Sequence, residues 1–110
     1  MYSESRMDPE ISVYDFQKLR DVESAARVGQ LCLVDVREPW EAAMAAIDES
    51  LLMPMGDIPA RALKELNPDM HIIVYCHHGL RSFSAVTWLR EQGFARAQSL
   101  SGGIDAWSQK

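Results

Sequence analysis

Two short apolar runs constrain the fold of this chain more than any other feature. They are Leu31 to Val36 and His71 to Tyr75. Runs of this length that do not alternate regularly with polar residues are typical of strands buried on both faces, as in a parallel sheet. The two runs therefore predict strands of a buried, mainly parallel sheet.

Weaker strand patterns alternate with helical patterns along the rest of the chain. Further strands are predicted at residues 11–13, 51–53 and 97–100, and helices between Asp15 and Gly29, at residues 39–43, 57–66 and 82–92, and around Trp107. Asp15 and Ser82 are the expected N-caps, and Val22 and Leu63 are expected on buried helix faces. This alternation predicts an α/β fold with helices on both faces of the sheet.

Length and charge narrow the class of protein. The 110 residues amount to one domain, with residues 1–10 expected as a flexible lead-in and residues 11–110 as the domain. A net charge of −5 argues against nucleic-acid binding, which requires a surplus of Lys and Arg. Because no signal sequence or membrane-spanning run is found, we expect a cytoplasmic protein with no membrane partner. A monomer is the default expectation.

The two cysteines, Cys32 and Cys76, have different sequence contexts. Cys32 lies inside an apolar run with no cation beside it and is expected to pack in the core. Cys76 follows directly after a buried strand, which is where ligands bind in open α/β sheets. We expect no disulfide between them, since a chain with so few cysteines is not a secreted disulfide scaffold.

The residues after Cys76 favour a reactive thiolate. They are His77, His78, Gly79, Leu80 and Arg81, and a helix follows them. A tight loop at a helix N-terminus can direct several backbone N–H groups at one negative charge. Helix N-termini and nearby cations lower a cysteine pKa from about 8.5 to about 3.5–7.5. Cys76 is therefore predicted to be a nucleophile near neutral pH, and Arg81, which opposes the helix dipole, indicates a bound anion nearby.

Three motifs resemble those of the rhodanese family. Cys76 to Ser82 matches C-x-x-G-x-R-S, Asp35 to Glu38 matches D-V-R-E, and Leu100 to Trp107 matches L-x-G-G-x-x-x-W. The similarity extends from about Ile11 to Trp107, with the motifs in the family's order. We therefore identify the chain as resembling a rhodanese domain along nearly its whole length.

The resemblance implies a fold of about five mostly parallel strands and a two-step sulfur transfer without a metal or organic cofactor. In such a transfer, Cys76 takes the outer sulfur of thiosulfate or a persulfide, and a thiol, a protein or cyanide then accepts it. By the same analogy, the residues from His77 to Arg81 bind the substrate. Asp35, Arg37 and Ser82 are expected to support the loop.

One segment departs from the family pattern. Where members often have G-H-I-P-G-A, this chain reads Ala45-Ala46-Ile47-Asp48-Glu49-Ser50, and only the isoleucine is shared. The resemblance therefore implies the reaction but not the shape of the surface beside this segment.

Three other functions compete with sulfur transfer. A phosphatase of the same fold has one more loop residue than the four between Cys76 and Arg81, and a histidine in place of Tyr75. A protein-interaction or sulfur-sensing module would not need the cysteine, the glycine and the arginine of the loop together. A metal site on Cys76, His77 and His78 would require adjacent residues to converge on one ion, which zinc sites seldom show.

Other polar and aromatic residues have structural expectations. Asp35 ends a hydrophobic strand, so its carboxylate needs a partner, either the loop amides, a nearby arginine or the start of the next helix. His71 opens a strand and is expected to be structural. Trp40 and Trp107 are expected to be packing residues.

Overall fold

The computed structural model of the protein describes residues 7–26 and 31–109, with only the backbone given for residues 23–26. The strands, in chain order, are β1 (Glu10–Ile11), β2 (Leu31–Asp35), β3 (Leu51–Leu52), β4 (His71–Tyr75) and β5 (Ala97–Leu100). The helices are α1 (Val13–Ala26), α2 (Pro39–Met44), α3 (Ile58–Glu65), α4 (Leu80–Glu91) and α5 (Gly103–Ser108), with a 3₁₀ turn at Met55–Asp57. Within the described ranges, no helix is long and apolar enough to cross a membrane. The predicted stop at Gly29 lies outside the described residues.

The five strands form one sheet in the order β1-β5-β4-β2-β3, and each described pairing is parallel. The two apolar runs form β2 and β4, which lie side by side at the centre, with Leu31 opposite His71 and Asp35 opposite Tyr75. Their carboxyl ends therefore meet at one edge of the sheet. This confirms the predicted parallel α/β fold and brings the D-V-R-E motif next to the cysteine loop.

Side chains alternate along β4 between the two faces of the sheet. Ile72, Val74 and Cys76 belong to a core cluster that includes residues of α3 and α4. Ile73 and Tyr75 belong to a second cluster that includes residues of α1 and α5. Because both faces are covered by helices, every position of this strand is buried, and its sequence lacks a polar alternation.

Two helices begin earlier than the sequence predicts, so both predicted N-caps are wrong. Ser12 precedes α1, and its hydroxyl accepts the N–H of Asp15 at 3.0 Å, which places Asp15 inside the first turn. Helix α4 begins at Leu80, only four residues after Cys76, because Gly79 adopts a φ of 109° and turns the chain into the helix. Ser82 therefore lies inside the first turn, where its side chain faces the protein interior.

Three apolar residues expected in the interior are exposed. Val22 on α1, Leu63 on α3 and Trp40 on α2 have 61%, 57% and 66% of their surface exposed. Trp107 does pack, with its ring 5.3 Å from the ring of Phe16. The periodicity thus identified the helices but predicted too wide a buried face.

The described part of the predicted lead-in, residues 7–10, contacts the edge of the sheet. Glu10 pairs with Ser99 in the first register position of β1 and β5. The carbonyl of Pro9 accepts the N–H of Ser99 at 2.8 Å, and the carbonyl of Met7 accepts a hydrogen bond from Arg90 at 2.9 Å. These contacts add one residue to β1 before the predicted domain boundary.

Candidate active site

Cys76 lies at the carboxyl end of β4, beneath the loop that leads into α4. Its Sγ accepts hydrogen bonds from the backbone N–H of Gly79 at 3.1 Å and from that of Ser82 at 3.3 Å. The Ser82 hydroxyl lies 3.4 Å from the same sulfur and can act as a third donor. Cys76 is only 1% exposed, so its sulfur lies in a cradle of donors at the base of the loop.

These donors lower the pKa of the Cys76 thiol. Burial works in the opposite direction, because it disfavours the charged form. Hydrogen bonds from the Ser82 hydroxyl and from the N–H groups of Ser82, Gly79 and Arg81 outweigh burial, so the pKa falls below its usual value. The sequence predicted this direction, and the structure traces it mainly to backbone amides and one hydroxyl.

Arg81 forms a bidentate ion pair beside this cradle. Its Nη1 and Nη2 atoms each donate to one carboxylate oxygen of Glu41, both at 2.8 Å. The Glu41 side chain is 12% exposed, and its hydrogen bonds with Arg81 lower its pKa to about 2. Glu41 is therefore ionised at neutral pH, and the anion that the sequence predicted beside Arg81 is supplied by the chain itself.

The first turn of α5 holds the loop from the other side. The N–H of Ile104 donates to the carbonyl of Cys76 at 2.9 Å, and the N–H of Asp105 donates to the carbonyl of His77 at 3.1 Å. Gly103 approaches so closely that a Cβ there would overlap both carbonyl oxygens, and its φ of 61° also favours glycine. The glycine pair of the third motif is thus explained by its contact with the cysteine loop.

Comparison with known proteins gives the family. Residues 12–110 match the family model of the rhodanese-like domain. The chain belongs to this family. A sulfurtransferase of Allochromatium vinosum is 39% identical over 93 residues, which are 84% of this chain and 80% of that protein. The putative sulfurtransferase YtwF of Bacillus subtilis is 37% identical over 78 residues, 71% of this chain and 74% of that protein. The crystal structure of a rhodanese-related protein from Thermoplasma volcanium has a TM-score of 0.78 and 27% identity, covering 93% of this chain and 92% of that one.

In this rhodanese domain, Asp35 and Arg37 reach the cysteine loop through α2. Arg37 Nε and Nη2 donate to the two carboxylate oxygens of Asp35 at 3.0 and 2.9 Å in a buried ion pair. Nη2 also donates to the carbonyl of Ala45, just beyond α2, at 2.7 Å. The ion pair between Asp35 and Arg37 therefore fixes the position of α2, and α2 places Glu41 beside Arg81.

Tyr75 anchors the segment that departs from the rhodanese pattern. Its buried hydroxyl donates to Asp35 Oδ2 at 3.0 Å and accepts the N–H of Ile47 at 3.1 Å. The Ser50 hydroxyl lies 3.0 Å from the same oxygen. Ile47 is 2% exposed, so the one residue shared with the family pattern is a core residue. The divergent segment is thus held in place by the end of β4.

His77 and His78 are exposed and lie outside the sulfur cradle. Their rings stack with centroids 4.0 Å apart, and His78 Nδ1 lies 3.8 Å from a carboxylate oxygen of Asp105. Among the residues that the structure describes, these three can offer ligand atoms within 4.8 Å of one another to a metal ion. The metal set considered from the sequence included Cys76, but the cradle turns that sulfur inward.

A groove of about 310 Å³ opens beside the rhodanese loop. Its apolar lining consists of Trp40, Met44, Ala45 and Ile104, and its polar lining consists of Arg37, Glu41, His77, Asp105 and Ser108. Trp40 and Met44 are 66% and 79% exposed, and Leu80, at the start of α4, is 83% exposed. The cysteine loop therefore borders an apolar surface at His77, which the sequence did not indicate because Trp40 was expected to pack.

Two residues of the site were not identified from the sequence. Ser99, in β5, lies with its Oγ 2.8 Å from that of Ser82, and nothing in the strand pattern distinguished it. Glu41 stands three residues after Glu38 and accepts the Glu38 N–H at 3.0 Å, as in a capping box. That spacing could have predicted the start of α2, but the ion pair with Arg81 depends on the tertiary fold.

Proposed function

We propose that this protein is a sulfurtransferase that moves sulfane sulfur from thiosulfate or a persulfide donor, through a persulfide on Cys76, to a thiol or cyanide. The observation that carries the proposal is the cradle, in which two backbone N–H groups and one hydroxyl face Sγ. Such donors stabilise negative charge on sulfur without a metal or an organic cofactor. The relatives named as sulfurtransferases support the same class of reaction.

In the first half-reaction, the Cys76 thiolate attacks the outer sulfur of the donor. A bond forms between Sγ and that sulfur, and the S–S bond of the donor breaks. The electron pair of the broken bond leaves with sulfite when the donor is thiosulfate, or with a thiolate when the donor is a persulfide. The lowered pKa of Cys76 keeps the attacking group ionised closer to neutral pH than an ordinary thiol.

In the second half-reaction, a thiolate or cyanide attacks the terminal sulfur of the Cys76 persulfide. The bond between Sγ and that sulfur breaks, and Cys76 regains the electron pair as a thiolate. The N–H groups of Gly79 and Ser82 already face Sγ, so they stabilise the charge as it returns. The same donors therefore serve both half-reactions, while His77, His78, Leu80 and Arg81 form the rim that a substrate meets.

The proposal extends to compartment and partners. Both cysteines are free, which suits a reducing compartment, and we place the protein in the cytoplasm. The acceptor is a small thiol or a thiol on another protein, and the acidic net charge of −5 disfavours nucleic acid. The protein acts as a monomer in this scheme.

Thiocyanate formation from thiosulfate or glutathione persulfide in the presence of cyanide tests the function. Cys76→Ser is expected to abolish turnover. Cys32→Ser is the matched control, because Cys32 lies in β2, away from the loop, and burial raises the pKa of its thiol. Turnover that persists in Cys76→Ser would exclude Cys76 as the sulfur carrier.

A further inference from the structure

Arg81 is the loop cation expected to bind an anionic donor, but it is already paired with a carboxylate. Arg81 directs two guanidinium N–H groups at Glu41, both at 2.8 Å, in the bidentate geometry that is strongest for this pair. The Glu41 side chain is 12% exposed and that of Arg81 is 39% exposed, so water reaches the Arg81 side and the strength of the pair rests on its bidentate geometry. A donor that needs Arg81 must therefore compete with a carboxylate of the same chain.

Glu41 is held in place independently of Arg81. It lies in the first turn of α2, where its Oε2 accepts the N–H of Glu38 at 3.0 Å. The helix is fixed in turn by Arg37, which donates to the carbonyls of Ala45 at 2.7 Å and Glu41 at 3.4 Å. These contacts therefore hold the Glu41 carboxylate beside Arg81.

This arrangement treats donors differently according to their charge. Thiosulfate brings two negative charges on a small anion, whereas the sulfur group of an organic thiosulfonate or persulfide brings one at most. The cradle amides face Sγ, Glu41 neutralises Arg81, and Asp105 is the carboxylate nearest to His78. Of the described residues beside the loop, Arg81 and Arg37 are both paired with carboxylates, so a second negative charge meets Glu41 without one of these guanidinium groups free to offset it.

The surface next to Glu41 favours an organic group. Trp40, Met44 and Ile104 line the groove of about 310 Å³ that Glu41 and His77 also border. The exposed fractions of Trp40 and Met44, 66% and 79%, leave apolar area available for contact. A donor with an apolar body can bury part of this area, while inorganic thiosulfate cannot.

We propose that Glu41 is a specificity-determining residue that disfavours dianionic thiosulfate and selects organic donors, persulfides or thiosulfonates, with at most one negative charge on the reacting sulfur group and an apolar group that contacts Trp40. The inference rests on the proposed sulfurtransferase function. It adds the chemical class of the donor and the residue that sets it.

Two donors that differ by one charge test the role of Glu41. Thiosulfate and methanethiosulfonate both present an outer sulfur, but a methyl group in the second replaces one charged oxygen. Glu41→Gln keeps the shape of the side chain and an oxygen for Arg81. It is expected to raise kcat/KM for thiosulfate by about tenfold relative to that for methanethiosulfonate. Glu91→Gln, which removes the same charge from an exposed position at the far end of α4, is expected to leave the ratio of the two values unchanged.

A third donor tests the groove without altering the ion pair. Benzenethiosulfonate carries the same charge as methanethiosulfonate and adds a ring, so wild type is expected to prefer it, and Trp40→Ala to reduce that preference. The inference would be overturned if the ratio of kcat/KM for thiosulfate to that for methanethiosulfonate were the same in Glu41→Gln and wild type. It would also be overturned if Trp40→Ala kept the full preference for benzenethiosulfonate. In both cases the sulfurtransferase function would stand. Loading of Cys76 by none of the three donors, and by no glutathione persulfide either, would instead contradict the function itself.

Discussion

The hydroxyl oxygens of Ser82 and Ser99 lie 2.8 Å apart, and Ser82 Oγ lies 3.4 Å from the sulfur of Cys76. Both serines are fully buried. The Ser82 hydroxyl can donate its one proton to the sulfur or to the carbonyl of Gly79, 3.3 Å away. When Cys76 is a thiolate, its charge favours donation to the sulfur, and Ser99 can then donate to Ser82. A hydroxyl from β5 thereby supports the donor that faces the sulfur of Cys76.

Replacing Ser82 with alanine is expected to raise the pKa of Cys76. The Ser82 hydroxyl is the largest contribution that lowers this pKa, and burial, which raises it, would remain. At neutral pH a smaller fraction of Cys76 would be thiolate, so alkylation by iodoacetamide would slow and its pH midpoint would move upward. The shift is measured by stopping the alkylation reaction at set times over a series of pH values and determining the alkylated fraction by mass spectrometry.

Ser99→Ala is expected to move the same midpoint in the same direction but by less, because it acts through Ser82. Ser84→Ala is the control, since Ser84 is exposed on the same helix. A midpoint that is the same in wild type, Ser82→Ala and Ser99→Ala would show that the two hydroxyls do not tune the thiol.

Replacing Gly103 with alanine is expected to disrupt the cysteine loop. A Cβ at Gly103 would overlap the carbonyl oxygens of Cys76 and His77, in addition to the strain of a positive φ. Gly93 is the matched control, because it also has a positive φ, 103°, but no atom lies near the position of its Cβ. Gly93→Ala should cost about 1–2 kcal/mol, and Gly103→Ala should cost more and reduce the rate of Cys76 loading. Equal losses of unfolding free energy in denaturant titrations would argue against the close contact.

Replacing Asp35 with asparagine is expected to destabilise the fold while leaving the pKa of Cys76 in place. The change removes the charge that pairs with Arg37, whose side chain is 5% exposed, and breaking such a buried pair costs about 3 kcal/mol. Asp57→Asn removes a carboxylate that is 53% exposed, so it should cost less than about 1 kcal/mol. Urea unfolding gives the stabilities, and an altered alkylation midpoint in Asp35→Asn would show that Asp35 acts directly on the thiol.

The central strands and the position of the cysteine loop could both be predicted from the sequence. The run at β4 has to be buried on both faces, so it had to end at the edge where ligands bind, with Cys76 as the next residue. The exact start of α4 was not predictable, because it depends on the left-handed conformation of Gly79. Residue patterns favoured Ser82 as a cap, whereas the fold uses its hydroxyl at the sulfur.

Long-range polar contacts could not be predicted from local patterns. Glu41 and Arg81 lie on separate helices, and their ion pair exists only because β2 and β4 are neighbours in the sheet. Trp40 was wrongly expected to pack, because a large aromatic residue is more often buried than exposed. The features that set specificity in this site are therefore those that depend most on tertiary structure.

The stability of the protein is expected to fall as the pH decreases below neutral, in part because of His71. Burial lowers the pKa of His71, although its hydrogen bond with Gln98, 2.7 Å long, opposes this. Below the ordinary histidine pKa of about 6.5, the unfolded chain binds a proton that the folded protein resists. The free energy of unfolding should therefore decrease by up to about 1.4 kcal/mol per pH unit until the folded pKa is reached.

His71→Gln should show a shallower decrease than wild type over the same range. Denaturant midpoints measured from pH 7.5 to 5, in about half-unit steps, provide the comparison. Identical slopes for wild type and His71→Gln would mean that His71 is not held neutral by the fold.

The measurement that tests the central claim most directly is the intact mass of the reduced protein after incubation with an organic thiosulfonate or glutathione persulfide. Wild type and Cys32→Ser should gain the mass of one sulfur atom, Cys76→Ser should gain none, and peptide mapping should place the sulfur on Cys76. Cyanide should then return the mass to its starting value and release thiocyanate. A protein that gains no sulfur from any donor, or gains it on a residue other than Cys76, would contradict the account.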